Sequence, residues 1–263
     1  MCYIKQENWK FDLNDISDIP PNPDAKPKVV GEQNPKRRRI ITGEGAKAHV
    51  HEKFERVKTA RKRSPQSARW LERQLNDPYV KLAKAEGWRS RAAYKLLELN
   101  EAHHFLKKGA IVLDLGVAPG SWAQVAVKKG AARIVGVDLL PVSPIEGVIL
   151  VEGDFMEESI QAQLLAHLGS KPNLIMSDMA ANTVGHKQTD HIRTINLAQM
   201  ATDFAIGHLD KGGTFIAKVF QGGSEGQMLT RLKQNFKTVK HVKPKASRSD
   251  SVELYLLAMG KKS

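Results

Sequence analysis

The chain has 263 residues, 41% of them hydrophobic, with 41 lysines and arginines against 28 acids for a formal charge of +13. That bounds one large α/β core or a core with a tail, and the single cysteine, Cys2, excludes an intrachain disulfide and a thiolate metal cluster. No apolar run of about 18 residues and no charged-then-apolar leader occurs, so a cytoplasmic protein without membrane contact is expected, and the basic excess fits a polyanionic partner such as nucleic acid as well as it fits a plain basic surface.

Residues 1–63 are polar and punctuated by Pro20, Pro21, Pro23, Pro27 and Pro35, with basic runs at Lys36-Arg37-Arg38-Arg39 and Arg61-Lys62-Arg63. They read as a mobile basic tail, or as a start placed ahead of a true beginning near Val57, in front of a folded domain over 64–263. From Ser67 the apolar positions Trp70, Leu71, Leu75, Tyr79, Val80, Ala83, Ala92, Ala93, Leu96 and Leu97 take helical spacing, which predicts two or three helices. Next comes an apolar run, Ile111-Val112-Leu113, that stops at Asp114 and turns through Gly116-Val117-Ala118-Pro119-Gly120 into Ser121-Trp122. Such a run suits a strand buried on both faces that feeds a ligand loop and a helix. The glycine spacing differs from the G-x-G-x-x-G that cradles a pyrophosphate, so a ligand without one is favoured.

Further apolar runs follow at 133–138, 147–151, 173–178 and 213–220, with helical stretches around 122–130, 157–168, 190–209 and 224–235. Strands alternating with helices predict a mostly parallel sheet with helices on both faces. The last two runs, Thr238–Val242 and Val252–Leu257, have no room for a helix between them and predict an antiparallel hairpin at the sheet edge.

Open α/β sheets bind ligands beyond the carboxyl ends of their strands, and here Asp114, Asp138, Asp154, Asp178 and Lys218 fall there in series. Asp138 is placed to accept hydrogen bonds from ribose hydroxyls, which implies a nucleoside-bearing cofactor, or it is a turn residue. Asp154 could accept from an adenine amino group or cap the helix starting near Glu157. Trp122 could lie against the cofactor or pack in the core. Lys218 is sharper, because an ammonium inside Phe215-Ile216-Ala217-Lys218-Val219-Phe220 is costly to desolvate and needs a partner or a purpose. Burial beside a second cation would lower its pKa from about 10.4 and make it a general base. Lys95 is a candidate second cation, and Asp178 and Glu253 are candidate partners.

Taken together, Ser90-Arg91-Ala92-Ala93-Tyr94-Lys95-Leu96, Asp114-Leu115-Gly116-Val117-Ala118-Pro119-Gly120-Ser121-Trp122, Ser177-Asp178-Met179-Ala180, Lys218-Val219-Phe220-Gln221-Gly222 and Val252-Glu253-Leu254-Tyr255 resemble the FtsJ/RrmJ (RlmE) family of ribosomal RNA ribose methyltransferases, from about Ser67 to Lys262. The resemblance implies a Rossmann-like class I methyltransferase fold with a seven-stranded sheet. It implies transfer of a methyl group from S-adenosylmethionine to the ribose 2′-hydroxyl of a uridine in 23S rRNA, within the 50S subunit, by a monomer. It also implies a Lys-Asp-Lys-Glu tetrad, here Lys95, Asp178, Lys218 and Glu253, with Lys218 as proton acceptor. Cofactor contacts are implied for Gly120, Trp122, Asp138, Asp154 and Asp178.

Two departures stand out: Ala181 where many members have proline, and Ser121 where the loop often carries a second glycine. A dinucleotide oxidoreductase would want a tighter glycine fingerprint, and a non-catalytic RNA-binding relative would want a broken tetrad. Methyltransferases acting on tRNA or an mRNA cap share the tetrad and remain alternatives. His186, Asp190 and His191 look metal-like but fall in a polar stretch read as a solvated loop, so no metal is expected. Arg89, Arg91, Lys237, Lys240, Lys243, Lys245 and Arg248 are candidates for a phosphate path beside the tetrad.

Overall fold

The computed structural model describes residues 54–263 except 60, 62, 181–186, 221–225 and 250, and leaves out the side chains of 66 and 187–191. Most of the expected tail, together with Ala181 and His186, lies outside the described residues. Three helices come first, α1 (Pro65–Leu75), α2 (Pro78–Glu86) and α3 (Ala92–His103). The first two start for local reasons. Ser64 and Asp77 accept hydrogen bonds from the Ser67 and Tyr79 N–H groups, and a proline follows each cap where a missing N–H costs nothing.

The sheet then assembles from β1 (Ile111–Leu115), β2 (Arg133–Asp138), β3 (Val148–Glu152), β4 (Leu174–Ser177), β5 (Thr214–Phe220), β6 (Phe236–Val242) and β7 (Glu253–Lys261). Between them lie α4 (Ser121–Lys128), α5 (Glu158–Leu168), α6 (Lys187–His208) and α7 (Gly226–Asn235). Seven strands run in the order β3-β2-β1-β4-β5-β7-β6; β1 to β5 pair in parallel, and β7 is antiparallel to both β5 and β6. The expected hairpin is therefore at the edge, with its second strand turned inward. β7 has four consecutive buried residues and takes the inner place, while β6, with exposed Lys237 and Lys240, takes the rim.

Helix α6 begins at Lys187, which corrects the reading of a loop through His191. Its opening residues, Lys187-Gln188-Thr189-Asp190-His191, are all polar, so the apolar period that betrays a helix starts only at Ile192. Among the described residues no helix is long and apolar enough to cross a membrane.

Side-chain alternation divides the core. Val112, Ile134, Met176, Ile216, Tyr255 and Leu257 share a cluster with Leu96 and Leu99 of α3 and Trp122 and Val125 of α4. Leu113, Val135, Ile175, Phe215 and Leu256 pack instead with Leu164, Phe204 and Leu232 from α5, α6 and α7. Strand order reverses between β1 and β4, and the loops leaving these two strands flank the crevice where such sheets take their ligands. They lie close together, since a Cβ on Gly116 would stand 2.7 Å from Met179 Cγ and 3.0 Å from its backbone.

Candidate active site

Register and alternation bring the tetrad together. Lys218 of β5 stands opposite Tyr255 of β7, and Phe220 opposite Glu253. Ile216, Lys218, Glu253, Tyr255 and Leu257 therefore face one side of the sheet, the side covered by α3, which contributes Lys95. Asp178 follows the last residue of β4, next to β5.

Two ion pairs result. Lys218, 9% exposed, has its Nζ 3.1 Å from Asp178 Oδ1 and donates to the Asp178 carbonyl oxygen as well. Lys95 Nζ lies 2.5 Å from Glu253 Oε1. The fully buried Tyr255 joins the pairs: its hydroxyl accepts from Lys95 Nζ at 3.2 Å and reaches Asp178 Oδ1 at 2.8 Å and Glu253 Oε1 at 3.1 Å. A phenol has one proton, so it serves one carboxylate at a time. Tyr255 lies in a sequence motif without a role assigned to it; a lone hydroxyl within the apolar run Leu254–Met259 was the available signal.

Electrostatics follow from this packing. Burial works to raise the Asp178 carboxyl, but the ammonium groups of Lys218 and Lys95 and the bonds from Tyr255 and Lys218 more than reverse it, leaving it below its ordinary value. Burial pushes the Tyr255 phenol well up, and the charges of Asp178 and Glu253 add to the shift, so it stays a neutral donor.

Across the crevice, the acids chosen from sequence are engaged by backbone. Asp138 Oδ2 accepts from the Ala118 N–H and Oδ1 from the Leu140 N–H, both at 2.9 Å, which ties the glycine turn to the loop after β2. Asp154 Oδ1 accepts from the Met156 N–H at 2.9 Å; it caps a turn, whereas α5 has Glu157 at its N-cap without a side-chain bond. Gly120 is the N-cap of α4 at φ +106°, and a Cβ there would meet Ile145 Cδ1 at 2.4 Å. Trp122 is in the core at 3% exposure, its indole N–H donating to the Ala92 carbonyl at 2.9 Å and its ring 5.6 Å from that of Tyr255. It supports the site from beneath.

Asp114 differs from its neighbours. It is 1% exposed, and neither carboxylate oxygen accepts a well-aligned hydrogen bond among the described residues, the Ala123 N–H being a weak donor nearby. Burial raises its carboxyl well above the ordinary value, the charges of Asp178 and Asp138 add to this, and the Ala123 backbone opposes it weakly. In the sequence, Asp114 stands in the strand-end series with no ligand assigned to it.

Several of the basic residues proposed as a phosphate path are committed internally. Arg91 and Arg248 both pair with the buried Asp77, Arg248 at 3.3 Å, and Arg91 also donates to the Ala246 carbonyl. Lys243 Nζ donates to the Ser249 and Ser251 carbonyls, and Arg89 to three carbonyls described below. Lys237, Lys240 and Lys245 are exposed. Among the described residues no group of three or more His, Cys, Asp or Glu could hold a metal ion.

Comparison with known proteins points to a methyltransferase family. Residues 88–261 match a family model described as FtsJ-like methyltransferase. The chain is 60% identical over 207 residues to the ribosomal RNA large subunit methyltransferase E of Novosphingobium aromaticivorans, covering 78% of this chain and 93% of that one. It is 53% identical over 228 residues to the protein of the same name from Bartonella bacilliformis, covering 84% and 95%. Among solved structures, a crystal structure described as a ribosomal RNA methyltransferase from Plasmodium falciparum superposes with a TM-score of 0.59 at 32% identity, covering 66% of this chain and 98% of that one.

Proposed function

The chain belongs to the FtsJ-like methyltransferase family, and on that premise we propose that it methylates the ribose 2′-hydroxyl of a uridine in 23S rRNA, using S-adenosylmethionine. The observation that carries this reading is the convergence of Lys95, Asp178, Lys218 and Glu253 into one hydrogen-bonded network at the carboxyl ends of β4 and β5. The choice of large-subunit rRNA over tRNA or an mRNA cap rests on the names of relatives at 53–60% identity. All four tetrad groups come from one chain, which supports a monomer as the working unit.

The residues present fit S-adenosylmethionine. Asp114, buried and without a well-aligned donor among the described residues, calls for a cationic donor such as the amino group of the methionine moiety. Asp138 and Asp154 each keep acceptor capacity beyond the backbone bonds they make, for ribose hydroxyls and an adenine amino group respectively. Leu139, 61% exposed, and Met156, 43% exposed, follow these two acids closely and offer apolar surface to a base. Gly120 shapes the turn and Trp122 supports it. When bound, the cofactor supplies a methyl group on a sulfonium, an activated donor that needs no metal.

The chain's own work is then to position a hydroxyl and manage its proton. In its neutral form, required before attack, Lys218 Nζ receives the proton of the attacking ribose hydroxyl, and Asp178 fixes that amine from two sides through its carboxylate and its carbonyl. Glu253 holds Lys95 as the second cation, and Tyr255 sets the distance between the pairs. A second reading is favoured by the Lys218–Asp178 ion pair itself: Lys218 stays an ammonium, donates to the hydroxyl oxygen and only steers it.

The deciding experiment follows labelled methyl into 50S subunits, free rRNA and tRNA. Label in rRNA, and a loss of about 10²-fold or more in Lys218→Ala with cofactor binding intact, are expected. Lys218→Arg separates the two catalytic readings, since a steering cation tolerates it and a base does not. Near-full activity in the alanine variant would refute both, and label confined to tRNA would refute the substrate.

A further inference from the structure

We propose that Arg89 is a positioning residue for the cofactor loop, clamping the glycine turn after β1 to the loop after β2, with Ser121 adding a second tie. This rests on the reading of that crevice as the S-adenosylmethionine site. Arg89 lies between α2 and α3. Its Nη1 donates to the Pro119 carbonyl at 2.9 Å and the Ser143 carbonyl at 2.8 Å, and its Nη2 to the Pro144 carbonyl at 2.7 Å. Pro119 adjoins Ala118, and the Ser143–Pro144 segment follows Leu140; Ala118 and Leu140 are the two residues whose N–H groups Asp138 holds. The same two loops are thus gripped twice, by a carboxylate on their N–H groups and by a guanidinium on their carbonyls.

Neighbouring contacts reinforce the clamp. The Arg89 N–H donates to Gln124 Oε1 at 2.8 Å, and Gln124 Nε2 returns to the Gly87 carbonyl at 3.3 Å. Ser90 Oγ and Ser121 Oγ are 2.7 Å apart, and Ser121 is 2% exposed. The departure from a second glycine at position 121 therefore gives this chain a hydroxyl bond from the first turn of α4 to the α2–α3 connection. Gly120 is needed for the same construction, because a Cβ there would lie 3.1 Å from Arg89 Nη1 as well as striking Ile145. Since α3 starts at Ala92 and carries Lys95, one short segment fixes both the cofactor turn and one member of the tetrad. The three bonds leave from two nitrogens of a rigid planar fork, whereas a lysine in its place would have to meet all three carbonyls from one point on a flexible stem.

Arg89→Lys, Arg89→Met and Ser121→Gly, assayed on the full chain by calorimetric S-adenosylmethionine binding and by separate KM values for cofactor and rRNA, test this. Cofactor Kd and KM should weaken about tenfold in both Arg89 variants and about two- to threefold in Ser121→Gly, with kcat at saturating cofactor and rRNA KM nearly unchanged. Unchanged cofactor affinity in Arg89→Lys would overturn the clamp. So would weakened rRNA binding with a shallower salt dependence, which would make Arg89 a phosphate contact, or an equal loss toward both ligands that tracks a fall in Tm, which would make it merely structural. A wild-type chain that binds no S-adenosylmethionine would overturn the proposed function, and the clamp's purpose with it.

Discussion

Asp114→Asn should make the ligand-free protein more stable at neutral pH while weakening its hold on the methyl donor. The Asp114 carboxylate is 1% exposed and accepts no well-aligned hydrogen bond on either oxygen among the described residues. An unmet buried polar group costs about 1–3 kcal/mol, more when charged, and an amide of the same shape removes the charge. The pH dependence has a definite sign. Burial first, then the charges of Asp178 and Asp138, raise the folded-state pKa above the unfolded one. The stability contributed by protonated Asp114 is thus fully present below the ordinary carboxylate range and lost as pH rises through the raised folded value. Asparagine does not titrate, so the two proteins should unfold at similar temperatures near about pH 4 and diverge above it in favour of the variant. With about 2–4 °C per kcal/mol for a domain of this size, the gap at neutral pH should be roughly 2–12 °C. Scanning calorimetry across pH, with and without S-adenosylmethionine, reads both effects, because a ligand that binds only the folded state raises Tm by mass action. A variant less stable than wild type at neutral pH without ligand, or one that keeps the full ligand-induced shift, would refute the reasoning.

Tyr255→Phe keeps the ring and removes the hydroxyl that joins Lys95, Asp178 and Glu253, so urea unfolding should show a loss of about 1.5–3 kcal/mol without a cavity. It also removes one of the groups holding the Asp178 carboxyl low. The stability from that depressed pKa is present above the unfolded value and lost as pH falls through the folded one, so acid unfolding should begin at higher pH; an unmoved acid midpoint would count against Tyr255 as the link. Gly136→Ala would set a Cβ on β2 2.8 Å from Val117 Cγ2 and 2.9 Å from its Cβ, pressing on the glycine turn. Denaturation should show a cost of about 1–3 kcal/mol together with weaker cofactor binding, and a neutral result would mean that the turn yields freely.

Much of the fold and half of the site are legible in the sequence alone. Strand runs, the glycine turn and the helices after each strand are local patterns, and an ammonium inside Phe215–Phe220 declares itself against its immediate neighbours. The resemblance to a known family named Lys95, Asp178 and Glu253 as the companions of Lys218, and in the structure these four groups meet. The first turn of α6 was missed because it is polar throughout, and periodicity needs apolar residues to mark it.

Partnerships between distant residues belonged to the tertiary structure alone. Tyr255 meets the tetrad because β7 inserts antiparallel beside β5 in one register; a shift of a single residue would turn its hydroxyl to the other face. Asp138 and Asp154 are turn caps that keep spare lone pairs, Trp122 is core, and Asp114 lacks a well-aligned donor among the described residues. The +13 charge hinted at nucleic acid, yet a charge count cannot tell a free cation from one already spent on a carbonyl or a buried carboxylate. Arg89, Arg91, Arg248 and Lys243 are of the second kind, because hydrogen-bond partners are set by three-dimensional proximity and not by position along the chain.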